Sequence, residues 1–110
     1  MVNDVPRVLI IDEQSTTVAW LLQGLDGHEL ELLVAVDGQD GVDQAFKHAP
    51  DLILLEVHLP VIDGFEVCRR LKADPRTANV PVIFLSASAA IEHKLQGFNL
   101  CAVDFIGKPF

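Results

Sequence analysis

Residues 50–65 read PDLILLEVHLPVIDGF, and this stretch decides the fold. Four consecutive apolar residues, 52–55, follow a helix-breaking proline and lead directly into the acidic Glu56. A short, continuous apolar run is typical of a strand that is buried on both faces, as in a parallel sheet. The loop that follows closes on Asp63-Gly64, and an aspartate in this position predicts the start of a helix. The stretch therefore predicts a buried strand, a loop and then a helix.

The same alternation extends along the chain in both directions. Strands are predicted at residues 8–11, 30–36, 52–55, 82–85 and 103–106, and those at 8–11, 52–55 and 82–85 are apolar throughout. Helices are predicted to begin at Ser15 or Thr16, at Asp40, after Asp63 and at Ser88, the last running to about Phe98. Strands that alternate with helices indicate a parallel sheet covered on both faces, and right-handed crossovers make it doubly wound, with five strands. The fold class is therefore α/β.

Length, charge and hydropathy limit the classes of function that the sequence allows. The chain has 110 residues, enough for one domain, and a net charge of −8 from 16 acidic and 8 basic residues. That balance argues against direct nucleic-acid binding, which needs a basic face. No apolar run approaches the ~20 residues that cross a bilayer, and no secretory signal is visible, so we expect a cytoplasmic protein with no membrane contact. The two cysteines, Cys68 and Cys101, suggest no disulfide framework, and we expect Cys101 to act as a small buried hydrophobe.

Polar residues follow the predicted strands at their carboxyl ends, where α/β sheets bind ligands. These residues are Asp12, Glu13, Glu56, Ser86 and Lys108. Clustered carboxylates repel one another unless they bind a hard cation such as Mg²⁺. A hydroxyl and a lysine opposite them could hold the oxygens of a phosphoryl group. The pattern therefore predicts a site for phosphate and metal.

Four segments together resemble the CheY-like receiver domain of two-component response regulators. They are VLIIDE at 8–13, PDLILLEVHLPVIDGFEVCRRLK at 50–72, PVIFLSA at 81–87 and DFIGKPF at 104–110. The resemblance runs from about Arg7 to the last residue. It implies a flavodoxin-like sheet with strand order 2-1-3-4-5.

The resemblance also implies a role for each site residue. Asp12 and Glu13 match the acidic pair that holds Mg²⁺, and the main-chain carbonyl of His58 matches a further metal ligand. Glu56 stands, as a potential metal ligand too, at the position of the aspartate that accepts the phosphoryl group. The remaining matches are the switch hydroxyl Ser86, the switch aromatic Phe105 and the phosphate-pairing Lys108.

Glu56 is the largest departure from the family pattern. Glutamate carries its carboxylate about one C–C bond, roughly 1.5 Å, further from the backbone than aspartate does. Phosphoryl transfer could then be slow or absent, the glutamate could imitate the phosphorylated state, or Glu56 could pair directly with Lys108. A second departure is that the family's final helix is missing after Phe110. We expect residues 1–110 to be a receiver domain and the N-terminal portion of a longer regulator.

Two functions remain open from the sequence. The first is a phosphoryl-dependent conformational switch in a phosphorelay, with a histidine kinase or phosphotransfer protein upstream and an output domain or effector protein downstream. The alternative is a phosphate-independent pseudo-receiver that acts as a protein-interaction module because Glu56 replaces the acceptor aspartate. An enzyme is not favoured, since the chain has no Walker-type glycine loop and no nucleophile elbow. A homodimer is left open.

Overall fold

A computed structural model describes residues 5–25, 29–86 and 104–107. The strands are β1 (Arg7–Ile11), β2 (Glu31–Ala35), β3 (Leu52–Glu56), β4 (Val82–Ser86) and β5 (Asp104–Gly107). The helices in the described part of the chain are α1 (Ser15–Leu25), α2 (Gly38–His48) and α3 (Gly64–Lys72). All strand pairs are parallel, and the order β2-β1-β3-β4-β5 confirms the predicted topology.

The central strands β1, β3 and β4 are apolar except for one end residue each, because both faces of the sheet are covered. Alternate residues of a strand point to opposite faces. In β1, Leu9 and Ile11 join a core cluster with residues of α2 and α3, whereas Val8 and Ile10 join a second cluster against α1. All four side chains are buried, and this accounts for the continuous apolar run.

Aspartate side chains start two of the helices. Asp63 accepts a hydrogen bond from the Glu66 amide at 2.9 Å, which confirms the predicted start of α3. The prediction for α2 was wrong, because the helix begins at Gly38 rather than at Asp40. Asp37 is the cap and accepts from the Asp40 amide at 2.8 Å.

Other predicted boundaries shift by one residue. The second strand ends one residue earlier than predicted and the fifth lies one residue later, at Asp104–Gly107. The predicted helix from Ser88 to Phe98 falls outside the described residues.

The expectation that the cysteines form no disulfide is wrong for Cys68. Cys68 lies on α3, is fully buried in the core cluster, and is half of a disulfide. Its contribution to the core is therefore not that of a free thiol. The sequence contains one other cysteine, Cys101, which lies outside the described residues.

The segment between α3 and β4 is anchored by polar contacts to main-chain carbonyls. The hydroxyl of Thr77 is fully buried and donates to the carbonyl of Leu71 near the end of α3. The ammonium of Lys72 donates to the carbonyls of Ala78 and Val80, at 2.9 and 2.7 Å. These bonds tie the end of α3 to the segment that leads into β4. None of the helices in the described ranges is long and apolar enough to span a membrane.

Candidate functional site at the carboxyl edge of the sheet

The strand register brings the predicted site positions to one edge of the sheet. Ile11 pairs with Leu55, so the residues that follow them, Asp12 and Glu56, leave adjacent strands side by side. Ser86 pairs with Gly107 at the ends of β4 and β5. Because all strands run in parallel, these carboxyl ends share one edge. Asp12, Glu56 and Ser86 therefore lie at the edge where α/β sheets bind ligands.

Asp12 is a buried carboxylate held by its own loop. Its side chain has no exposed surface, and its Oδ1 accepts a hydrogen bond from the Gln14 amide at 2.9 Å. Its main-chain amide donates to the Ala35 carbonyl at 3.0 Å, which continues the pairing of β1 with β2 by one residue. Glu13, next in sequence, is exposed. The two members of the predicted acidic pair thus have different environments.

Glu56 is also buried, with 3% of its surface exposed. Its Oε2 accepts a hydrogen bond from the main-chain amide of His58 at 3.0 Å. The carboxylate therefore turns back over the loop that follows its own strand. The His58 residue as a whole is exposed, so the main-chain amide is the part of this residue that reaches the buried site.

Gly64 fixes α3 against the end of β3. A Cβ atom at this position would lie 2.2 Å from the Glu56 carbonyl oxygen and 2.9 Å from the Val57 Cα. The Gly64 amide donates to the Val57 carbonyl at 2.8 Å. Only a residue without a side chain allows this approach. The N-terminus of α3 consequently packs against the main chain of Glu56 and Val57 at the end of β3.

The donor set fits a hard cation. Asp12 and Glu56 supply carboxylate oxygens from neighbouring strand ends, and Mg²⁺ in proteins commonly uses one or two carboxylates together with waters. Within the described ranges, no group of three or more histidine, cysteine, aspartate or glutamate side chains could hold a metal ion. A cation here would therefore depend on main-chain carbonyls and water as well as on the two buried carboxylates.

Two predicted residues are located only in part, and a third lies outside the described residues. Ser86 and Phe105 lie on β4 and β5, where the structure describes their backbone but not their side chains. Lys108 lies outside the described residues, directly after Gly107.

Two features of the site went unrecognised in the sequence. The bond between Glu56 and the His58 amide depends on the side-chain rotamer, for which a single sequence carries no signal. The close approach of Gly64 did have a signal, the Asp63-Gly64 pair. That pair was interpreted only as the start of a helix.

Comparisons with known proteins match this geometry. The family model for the response regulator receiver domain covers residues 8–110. The chain belongs to the response regulator receiver family. Among curated proteins, the receiver resembles the DNA-binding dual master transcriptional regulator RpaA of Synechocystis, with 43% identity over 96% of this chain and 44% of that protein. The chain thus spans less than half the length of this relative.

Solved structures support the same fold. A response regulator structure from Chloroflexus aurantiacus superposes with a TM-score of 0.91 at 34% identity, covering 97% of this chain and 88% of that one. The Mn²⁺-bound form of the response regulator Rcp1 superposes with a TM-score of 0.83 at 23% identity, covering 94% and 81% of the two chains. Receiver domains of response regulators are signalling domains and generally not enzymes.

Proposed function

We propose that this receiver is a phosphate-independent interaction module in which Glu56 supplies a fixed negative charge. The observation that supports this proposal is the hydrogen bond from the His58 amide to Glu56 Oε2, at 3.0 Å. The Glu56 carboxylate, at the acceptor position, thus already accepts a hydrogen bond from the loop that follows β3.

The Glu56 carboxylate is poorly positioned to accept a phosphoryl group. To accept a phosphoryl group, a carboxylate oxygen must approach phosphorus along a defined line, with reacting atoms about 3–3.5 Å apart. A glutamate carboxylate stands roughly 1.5 Å further from the backbone than that of aspartate. A displacement of about 1 Å can cost ~10²-fold in a positioned reaction. The hydrogen bond to His58 adds a contact that Glu56 Oε2 must loosen before it can react.

The second candidate function is the phosphoryl-dependent switch that the family carries out. It is favoured by the burial of Asp12 beside Glu56 and by the pairing of Ser86 with the residue that precedes Lys108. In this candidate Glu56 accepts the phosphoryl group. Ser86 and Lys108 hold its oxygens, and Phe105 moves with Ser86.

Mg²⁺ fits either candidate. Asp12 and Glu56, with the His58 main-chain carbonyl and water, would hold it, and bound there it would neutralise charge between the two buried carboxylates. We propose that Asp12 carries most of this binding, because its carboxylate is buried and positioned by the Gln14 amide.

The proposed partners follow from the family. A histidine kinase or phosphotransfer protein would meet the carboxyl edge of the sheet, and an output domain or effector protein would respond to its state. We propose a longer cytoplasmic regulator of which residues 1–110 form the receiver. A homodimer remains a proposal of the same kind.

Phosphorylation from a small donor tests these candidates. The protein would be incubated with Mg²⁺ and acetyl phosphate and analysed by intact mass, next to Glu56→Asp and Glu56→Gln. Glu56→Asp restores the shorter acceptor. Glu56→Gln keeps the length and an oxygen that can accept from the His58 amide, but removes the charge and the nucleophilic carboxylate.

The phosphate-independent proposal expects no added phosphoryl mass on the unchanged protein or on Glu56→Gln, and an adduct on Glu56→Asp. A hydroxylamine-labile adduct at Glu56 of the unchanged protein would favour the second candidate and exclude the first.

A further inference from the structure

The loop between β3 and α3 contains a strained backbone at Val61. The φ angle of Val61 is 68°, in the left-handed region that a β-branched residue rarely adopts. The Val61 side chain is fully exposed, so burial of apolar surface does not offset this strain. A conformation of this kind persists only where the surrounding structure holds it in place.

Anchors on both sides of Val61 hold the loop. Leu59 is buried in the core cluster, and Ile62 packs against the same cluster. The Gly64 amide donates to the Val57 carbonyl at 2.8 Å, so the two ends of the loop meet. Val61 therefore lies between fixed points and cannot relax unless one of them moves.

The first residue of α2 contacts this loop from outside the site. A Cβ atom on Gly38 would lie 2.5 Å from Cγ1 and 2.9 Å from the carbonyl oxygen of Ile62. Glycine is needed here, because any side chain would displace Ile62. Since Ile62 directly follows Val61, the position of the α2 N-terminus determines where the strained residue is held.

We propose that the start of α2, through Gly38 and Ile62, controls whether the loop holds the carboxylate of Glu56. While Ile62 packs against α2, Val61 stays strained and the His58 amide donates to Glu56 Oε2 at 3.0 Å. When the α2 N-terminus moves, Ile62 loses its contact, Val61 relaxes to a negative φ, and the His58 amide leaves the carboxylate. Gly38 and Ile62 are positioning residues, since they act on Glu56 through the loop.

The chain between Val61 and His58 is short and stiff. Pro60 fixes its own φ at about −65° and restricts Leu59 to extended conformations. A backbone change at Val61 therefore moves Leu59 and Pro60 as a unit and reaches His58.

Control by α2 deepens the proposed function, because it assigns regulation of the Glu56 charge to a helix end outside the site. It rests on the proposed function in one respect, the hydrogen bond from the His58 amide to Glu56. In the held state this bond occupies one oxygen of the carboxylate, and the released state frees both oxygens.

Exchange of the His58 amide hydrogen, measured by NMR on the full chain, tests the control by α2. Gly38→Ala adds a Cβ that must displace Ile62, whereas Ile62→Ala removes the side chain that meets Gly38 and adds no clash. Both variants should raise the exchange rate of this amide roughly tenfold, toward the rate in Glu56→Ala.

Gly41→Ala is the matched control on the same helix. Its added Cβ would lie 2.6 Å from Cδ1 of Ile11, so the crowding is similar but is directed at β1. Protection of about 10- to 100-fold reflects local opening, because folded and unfolded states of small domains differ in population by about 10³-fold or more. A general loss of stability should therefore leave His58 exchange unchanged.

Val61→Asn tests the strain. Asparagine tolerates the left-handed region better than valine does, so the held state should become more favourable relative to the released state. The His58 amide should then exchange several-fold more slowly than in the unchanged protein, and Tm should rise by a few degrees.

Three results would overturn the control by α2 and leave the proposed function intact. The first is a His58 amide that is protected in the unchanged protein and exchanges at the same rate in Gly38→Ala and Ile62→Ala. The second is equal acceleration in Gly38→Ala and Gly41→Ala, and the third is exchange in Val61→Asn that is as fast as in the unchanged protein or faster. Equal exchange in the unchanged protein and Glu56→Ala would overturn both.

Discussion

Replacing Gly64 by alanine should destabilise the protein and disturb the end of β3. The added Cβ would lie 2.2 Å from the Glu56 carbonyl oxygen and 2.9 Å from the Val57 Cα, and both are main-chain atoms that cannot rotate away. Ordinary contacts of this kind begin at about 3.4 Å, roughly a carbon–carbon van der Waals distance. The start of α3 must then move by about 1 Å, and overpacking of this kind costs about 1–3 kcal/mol. For a domain of this size, such a loss lowers Tm by about 10 °C.

Gly24→Ala is the matched control. Gly24 lies near the end of α1, and a Cβ there would meet nothing within 4 Å. The same substitution should therefore stabilise the protein by about 0.5 kcal/mol, because alanine loses less backbone entropy in a helix. Thermal unfolding followed by circular dichroism measures both variants. A Gly64→Ala protein with an unchanged Tm, next to a stabilised Gly24→Ala protein, would refute the close packing of α3 on the site.

Substitutions at two further positions, Thr77 and Glu66, test contacts at the end of α3 and along its surface. Thr77→Val removes the buried hydroxyl that donates to the Leu71 carbonyl and should cost about 1–3 kcal/mol in urea unfolding, whereas Thr77→Ser should retain most of the stability. The pKa of Glu66 is lowered to about 2, first by its hydrogen bond from Arg69 and then by that from Arg70. Its contribution to stability is thus present above the ordinary pKa and is lost as the pH falls toward 2. Glu66→Gln should reduce the loss of Tm on acidification between pH 4.5 and about 2, and an unchanged acid profile would contradict this.

The sheet was predictable from the sequence because its signals are local. The apolar runs identified the strands, and the family resemblance supplied their order. The start of α2 was mispredicted because Asp37-Gly38 fits both a turn and a capped helix start. The disulfide at Cys68 was missed because pairing depends on tertiary distance, which the spacing of two cysteines does not encode.

The candidate site was predictable as a set of positions, but its contacts were not. Polar residues at strand ends identified Asp12 and Glu56, and both are buried at the same edge. The contact of Glu56 with the His58 amide could not be foreseen, because it depends on how a flexible side chain packs against its own loop. The close approach of Gly64 to β3 likewise depends on the angle at which a helix meets a strand.

The exchange rate of the His58 amide hydrogen, measured by NMR, tests directly whether the Glu56 carboxylate is held by its own loop. A hydrogen bond to a charged acceptor contributes about 1.5–3 kcal/mol, which corresponds to roughly 10- to 100-fold protection. We expect protection of this amide in the unchanged protein, loss of it in Glu56→Ala, and partial retention in Glu56→Gln, whose side-chain oxygen can still accept. Equal exchange rates in the unchanged protein and Glu56→Ala would show that the carboxylate of Glu56 is not held by its own loop. That result would remove the hydrogen bond on which the phosphate-independent function is proposed.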